Sequence, residues 1–151
     1  MDSTSDEQAT LAATVSQARA WHHLLAISLA VIGGVLGIGG AFIEELRAGG
    51  GIVIAFLAAP VIEEALKPTG IYIALIRWPH ILRGQLYTAA LTALAGLTFG
   101  VIESIVYVTV YVSDPPEWFV TYRFTVTLGV HAAASFLVGL GLNRGVIDWA
   151  R

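Results

Sequence analysis

The run Ala58-Ala59-Pro60-Val61-Ile62-Glu63-Glu64-Ala65-Leu66-Lys67-Pro68 sets two adjacent acids and a lysine inside an apolar segment of membrane length. A charged side chain near the middle of a bilayer costs roughly 2.5–3.5 kcal/mol on insertion scales, so such a group is expected to have a polar partner or a function. Glu103 and His131 interrupt the next two apolar stretches. One buried polar site, shared by several membrane helices, would account for all of these residues.

The composition indicates that this chain lies in a membrane rather than in water. Of the 151 residues, 56% are hydrophobic and only 13% are charged, which leaves too little polar surface for a soluble globule. A lipid bilayer admits only helices or closed barrels, and long apolar runs without polar alternation exclude a barrel. The sequence therefore predicts an all-α, polytopic protein in the lipid bilayer. No basic patch suggests nucleic acid, and the absence of cysteine excludes disulfides and thiolate ligands.

Four transmembrane helices in one bundle are predicted. Each span is long enough to cross a hydrocarbon core of ~30 Å at ~1.5 Å per residue. The predicted spans are about 22–43, 51–76, 85–112 and 119–142. They form a transmembrane domain over residues 21–145, which follows a polar N-terminal segment, 1–20, and precedes a short tail, 146–151.

The second predicted span contains two prolines, Pro60 and Pro68, on either side of the charged residues. Each proline removes a backbone donor and frees a carbonyl of the preceding turn. We therefore expect this span to be kinked or broken, with carbonyls free to bind water or a substrate strand.

The arginines predict the orientation, because lysine and arginine are retained on the cytoplasmic side of a membrane. In a bundle of four spans, Arg47 and Arg123 fall on one side. The other side receives Arg19, Arg77, Arg83, Arg144 and Arg151. Both termini are therefore predicted to lie in the cytoplasm of a multi-pass cell-membrane protein.

Depth in the membrane tests whether the polar residues can meet. Glu63, Glu103 and His131 each lie about nine to twelve residues below the outer end of their spans, roughly 14–18 Å deep. Lys67 follows Glu63 by four residues and Glu64 by three, so its ammonium can pair with either carboxylate. The sequence predicts that these side chains converge and that Lys67 neutralises part of the acid pair.

Three motifs carry a resemblance to a known family. The runs Pro60–Lys67, Phe99–Tyr107 and His131–Ser135 resemble, in order and spacing, the Glu-Glu-x-x-Lys, Phe-x-x-x-Glu and His motifs of the PrsW family of intramembrane proteases. That family belongs with the CAAX prenyl proteases and bacteriocin-processing enzymes, and the likeness covers roughly residues 51–145. One position departs from it: PrsW-like sequences usually place Asn after the second-motif Glu, whereas this chain has Ser104.

The resemblance implies an intramembrane endopeptidase that acts on a membrane-embedded protein or peptide. Peptide hydrolysis needs a water, a base and donors for the oxyanion. We predict Glu63 as the base, Glu64 and Glu103 as groups that orient the water, and His131 as the oxyanion donor. Which of the two adjacent glutamates is the base stays open. The supporting residues are predicted to be Lys67, Ser104, Tyr107 and Ser135.

A metal site is the first alternative, because Glu63, Glu64, Glu103 and His131 could hold Zn²⁺ with one position open for water. No H-E-x-x-H signature supports it. Two other functions also remain open: a non-catalytic assembly or binding subunit of the same superfamily, and a small ion or proton-coupled carrier. The carrier would usually need pseudo-repeated halves, which the sequence lacks. A homo-oligomer is also left open.

Some residues have a simpler structural interpretation. Gly33-x-x-x-Gly37 and Gly96-x-x-x-Gly100 are most simply close helix-packing surfaces. Tyr107 could hydrogen-bond Glu103, four residues earlier, or belong to an aromatic belt at the outer membrane surface. That belt is predicted to contain Tyr111, Trp118 and Tyr122.

Overall fold

The computed structural model describes residues 3–48, 59–142 and 145–146, with the side chains of 19–43, 60–142 and 145–146. Within these ranges the protein is helical and contains no strand, as predicted. The helices are α1 (Ser3–Ala48), α2 (Ala59–Leu66), α3 (Thr69–Arg77), α4 (Gln85–Val106), α5 (Glu117–Tyr122) and α6 (Leu128–Gly141).

Three shorter segments connect or extend these helices. A 3-10 turn, Pro79–Ile81, lies between α3 and α4. The π-helical segment Tyr107–Tyr111 continues α4, and a second one, Arg123–Thr127, joins α5 to α6 without a break. A π-helical turn uses wider i→i+5 bonding, so it changes the face on which the following residues emerge.

Three helical segments of the described residues are long and apolar enough to cross a membrane: Arg19–Ile43, Gln85–Tyr111 and Glu117–Gly141. They correspond to the predicted first, third and fourth spans, and they make this a multi-pass membrane protein. The predicted second span, 51–76, is only partly described, because residues 49–58 lie outside the described ranges. The described part of the chain therefore supports three spans rather than four, and most of the predicted tail, 146–151, also lies outside it.

The predicted helix break occurs at Lys67 and Pro68, between α2 and α3. Pro68 has no N–H with which to continue the helical ladder, and the backbone turns there. The hydroxyl of Thr69 donates to the carbonyl of Leu66 at 2.5 Å and so satisfies one acceptor freed at the break. The break leaves Lys67 completely buried at the centre of the bundle.

Small residues bring the helices close together, as the two glycine pairs predicted. A Cβ atom at Gly33 would lie 2.6 Å from the carbonyl oxygen of Lys67, and one at Gly37 would lie 3.2 Å from the Lys67 Cγ. On α4, a Cβ at Gly96 would lie 2.5 Å from the carbonyl oxygen of His131. Glycine is therefore needed where α1 packs on Lys67 and where α4 packs on His131.

The outward faces of the helices are apolar, whereas the inward faces are small or polar. Val35, Val130 and Leu137 are among the large aliphatic side chains that remain exposed. Such a surface suits lipid, since lipid provides no hydrophobic driving force for burying these residues. The aromatic residues of the predicted belt, Tyr111, Trp118 and Tyr122, are also exposed.

Candidate active site

Lys67 is the central residue of a buried polar cluster. Its Nζ donates to Glu64 Oε1 at 2.5 Å and to His131 Nδ1 at 2.8 Å. Its third close polar neighbour is Glu63 Oε2 at 3.6 Å. The same atom lies 4.0 Å from the centroid of the Phe99 ring, in a cation–π contact. The ammonium therefore links the first motif to the third and rests on the aromatic ring of the second.

His131 has both ring nitrogens engaged. An ammonium can only donate, so Nδ1 accepts from Lys67 and the ring proton is assigned to Nε2. Nε2 then donates to Glu103 Oε2 at 2.9 Å. The ring also packs edge-on against Phe99, with centroids 5.0 Å apart. His131 is thus held as a neutral imidazole between a cation and a carboxylate.

Glu64 is fixed through both of its oxygens. Oε1 accepts from Lys67, and Oε2 accepts from the hydroxyl of Ser135 at 2.7 Å. Ser135 is completely buried and comes from α6, so its hydroxyl joins α6 to α2. Glu64 therefore has a fixed orientation.

Glu103 is also fixed, because it accepts from His131 and from Arg123, which the sequence analysis did not assign to the site. Arg123 Nη2 donates to Glu103 Oε2 at 2.7 Å, on the same oxygen that accepts from His131. The guanidinium lies over the ring of Tyr107 at 4.0 Å from its centroid. Ser104 donates to the carbonyl oxygen of Arg123 at 3.0 Å. Ser104 and Tyr107 therefore support Arg123, which in turn holds Glu103.

The sequence analysis did not assign Arg123 to the site, but the structure places it in the polar cluster, where it is 8% exposed. Arg123 precedes His131 by eight residues, a spacing that does not predict that the two side chains share a helix face. In a regular α-helix, residues eight apart emerge about 80° from each other. The π-helical segment Arg123–Thr127 absorbs one extra residue, which reduces the difference to about 20°. The sequence feature that could have indicated a buried role for Arg123 is that it is a lone arginine within an apolar span.

Glu63 differs from the other two carboxylates. Its nearest cation, Lys67 Nζ, is 3.6 Å away, beyond ordinary hydrogen-bond distance. Its side chain is 17% exposed, close to the 19% of Glu64 and the 21% of Glu103, so the difference between the carboxylates lies in their bonding and not in their exposure. Of the three glutamates of the cluster, Glu63 is the one whose carboxylate accepts no short hydrogen bond among the described residues.

The structure brings together the residues that the sequence predicted to converge, namely Glu63, Glu64, Lys67, Glu103 and His131. Ser135, predicted as a supporting residue, joins them through Glu64. Three carboxylates face two cations, Lys67 and Arg123, around a neutral imidazole, which leaves one net negative charge. The pairing reduces the cost of placing these charges among membrane helices. The catalytic roles of the residues stay predictions.

Comparison with known proteins gives one match. A family model described as "PrsW family intramembrane metalloprotease" matches residues 11–150, nearly the whole chain and every residue of the cluster. No curated protein and no solved structure matches the chain.

Proposed function

Since this chain belongs to the PrsW family of intramembrane proteases, we propose that it is an endopeptidase in which Glu63 activates a water molecule to hydrolyse a peptide bond of a membrane protein or peptide. The observation that carries this proposal is the difference between the three carboxylates. Glu64 and Glu103 are each held by short hydrogen bonds, whereas the Glu63 carboxylate accepts none among the described residues and lies 3.6 Å from the ammonium of Lys67, so its lone pairs are available to water. A general base needs such an available lone pair.

The proposed reaction begins when Glu63 takes a proton from water and the water oxygen attacks the scissile carbonyl carbon. The negative charge then moves from Glu63 to the carbonyl oxygen, which becomes the oxyanion. Lys67 Nζ, 3.6 Å from Glu63, lies close enough to stabilise the charge before and after this transfer. As the C–N bond breaks, Glu63 returns the proton to the leaving amine, and the new carboxyl group keeps the water oxygen.

The geometry favours a different role for His131 from the predicted oxyanion donor. Its Nε2 proton is directed to Glu103 and its Nδ1 lone pair accepts from Lys67. To donate to an oxyanion, His131 would have to break one of these bonds. We propose that His131, Glu64 and Glu103 are positioning residues, which hold Lys67 in place beside Glu63.

The family description implies a metal ion, but the described side chains of this site do not form a set of metal ligands. In the described ranges no group of three or more His, Cys, Asp or Glu residues is arranged to hold a metal ion. Glu64 Oε1 and His131 Nδ1 are 3.9 Å apart, and Lys67 Nζ bonds to both. The described residues therefore do not fit a metal ion, and the proposed reaction uses none.

The test is cleavage by the purified protein in lipid nanodiscs, with single-pass transmembrane peptides as substrates and mass spectrometry in H₂¹⁸O as the readout. One ¹⁸O atom should enter the new carboxyl group. Glu63→Gln should lower kcat by roughly a hundredfold or more, as expected for loss of a general base. Glu117→Gln, which changes an exposed acid at the start of α5, is the matched control and should keep full activity.

Full turnover by Glu63→Gln would exclude Glu63 as the base. No cleavage of any membrane substrate by the wild-type protein would favour the non-catalytic subunit or the carrier. The proposed substrate class, the glutamate mechanism and a cytoplasmic location of both termini are all part of this proposal. Protease protection of tags on each terminus in oriented vesicles tests the last of these.

A further inference from the structure

The position that a metal ion would need in this site is filled by a side chain. Lys67 is the only lysine of the sequence, and it is completely buried. Its ammonium contacts two carboxylates, Glu64 and Glu63, and the imidazole of His131. Carboxylate oxygen and imidazole nitrogen are also the ligand types that bind Zn²⁺ in proteins.

The distances make the ammonium and a metal ion alternatives. Two zinc ligands, each about 2.0–2.2 Å from a tetrahedral ion, lie about 3.4 Å apart. Glu64 Oε1 and His131 Nδ1 are 3.9 Å apart, so a small movement would bring them to that spacing. Lys67 Nζ bonds to both atoms and uses the same Nδ1 lone pair that a metal would need. A divalent ion next to the ammonium would also be strongly repelled.

The aliphatic part of the Lys67 side chain is held in place by close packing, as its ammonium is by polar contacts. Phe99, which is completely buried, presents its ring to Nζ at 4.0 Å. Gly37 of α1 packs against both residues, so closely that an added Cβ would lie 3.2 Å from the Lys67 Cγ and 3.2 Å from the Phe99 Cδ2. These contacts fix the ammonium between the ligand atoms, so it has little freedom to leave the position for an incoming metal ion.

We propose that the Lys67 ammonium is the resident cation of this site in place of a metal ion, so that the chain hydrolyses peptide bonds without a divalent metal. The catalytic part of this inference rests on the proposed function. The structural part does not: Lys67 prevents metal binding, and its removal should create a site for a divalent ion between Glu64 and His131.

The first experiment uses the wild-type protein in nanodiscs. Elemental analysis after purification without chelators should find no stoichiometric zinc, manganese, iron or cobalt. With ¹⁵N-labelled lysine, the single side-chain amine should give one signal, and an excess of Zn²⁺ should leave it unchanged. Stoichiometric metal bound to the cluster, or displacement of this signal by Zn²⁺, would overturn the proposal without any variant being needed.

The second experiment compares three variants by Co²⁺ titration, with visible absorption of tetrahedral Co²⁺ as the readout. Lys67→Ala should bind Co²⁺ at least about a hundredfold more tightly than the wild type. The repulsion between two cations a few ångströms apart in a protein lowers the binding affinity by more than that factor. Lys67→Arg keeps a cation and should bind no more than the wild type. Lys67→Ala combined with His131→Gln should lose the new site. Equal Co²⁺ binding by the wild type and Lys67→Ala would reject the inference.

These outcomes separate the two proposals. A wild-type protein that is active and contains a stoichiometric metal in the cluster refutes the resident ammonium but leaves the hydrolase. A metal-free wild-type protein that cleaves nothing refutes the hydrolase but leaves the structural role of Lys67. Activity that survives removal of all divalent ions, together with a metal-binding Lys67→Ala variant, supports both.

Discussion

The Nζ atom of Lys67 lies 2.8 Å from Nδ1 of His131, and this bond joins residues that are 64 positions apart in the sequence. Lys67 holds Glu64, while His131 holds Glu103, which also accepts from Arg123. The five side chains thus form one continuous chain of bonds across the helices. Such networks are worth more than their separate pairs, so a change in one member is expected to affect the others.

The two adjacent glutamates should respond differently to the same substitution. Glu64→Gln weakens the bond to Lys67 and should destabilise the protein by about 1.5–3 kcal/mol, the usual value of a hydrogen bond to a charged group. Glu63→Gln removes no short hydrogen bond and should lower the free energy of unfolding by less than Glu64→Gln does. Both should lose activity. Equilibrium unfolding in mixed micelles measures the difference, and equal destabilisation would contradict the separate roles.

Ser135 should affect stability and activity because it holds Glu64 in place. Its buried hydroxyl donates to Glu64 Oε2 at 2.7 Å, so Ser135→Ala leaves that oxygen without this donor. We expect a loss of about 1.5–3 kcal/mol in stability and a lower kcat with little change in KM, because no substrate contact is removed. Thr98→Ala is the matched control, since the Thr98 hydroxyl bonds only to the Leu94 carbonyl of its own helix. Similar losses in the two variants would reject a specific role for Ser135.

Arg123 should be a positioning residue for Glu103. Arg123→Gln removes one partner of a largely buried ion pair, and such a change costs about 3–5 kcal/mol. Arg123→Lys keeps the charge but loses the planar contact with Tyr107, so it should recover only part of the stability and activity. Peptide cleavage and thermal unfolding in detergent measure both effects.

Arg83→Gln is the control for Arg123, because Arg83 is an exposed arginine near the start of α4. It should behave like the wild type in both measurements. If Arg123→Gln also kept its kcat, the link from Arg123 through Glu103 to His131 would have no catalytic role.

The sequence allowed the helical class and most of the site to be predicted, because a polar residue in a long apolar run is conspicuous. Equal depth then placed Glu63, Glu103 and His131 together, and the helical repeat placed Lys67 beside the acids. Arg123 was missed because a π-helical turn changes the face on which it emerges, and no hydrophobic pattern records such a turn. The hydrogen-bond partners could not be predicted either, since spacing along one helix does not determine which atoms of another helix face it.

The close approach of α4 to α6 gives the last prediction. A Cβ atom at Gly100 would lie 2.9 Å from His131 Cδ2, so Gly100→Ala should push the imidazole away from Glu103. Overpacking of this kind typically costs about 1–3 kcal/mol. The expected result is lower stability together with a lower kcat, because the displaced ring can no longer hold both Lys67 and Glu103 at bonding distance.

Gly129, on α6, provides a control for Gly100 at a position with no heavy atom within 4 Å of the added Cβ. Gly129→Ala replaces glycine within a helix and should leave stability unchanged or raise it by up to about 1 kcal/mol, because alanine is the better helix former. Comparing the unfolding free energies of the two alanine variants therefore separates steric pressure on His131 from the general effect of glycine replacement. Equal stability and equal kcat in both would show that the His131 ring can move without affecting the site, and the arrangement of a fixed imidazole between Lys67 and Glu103 would then be wrong.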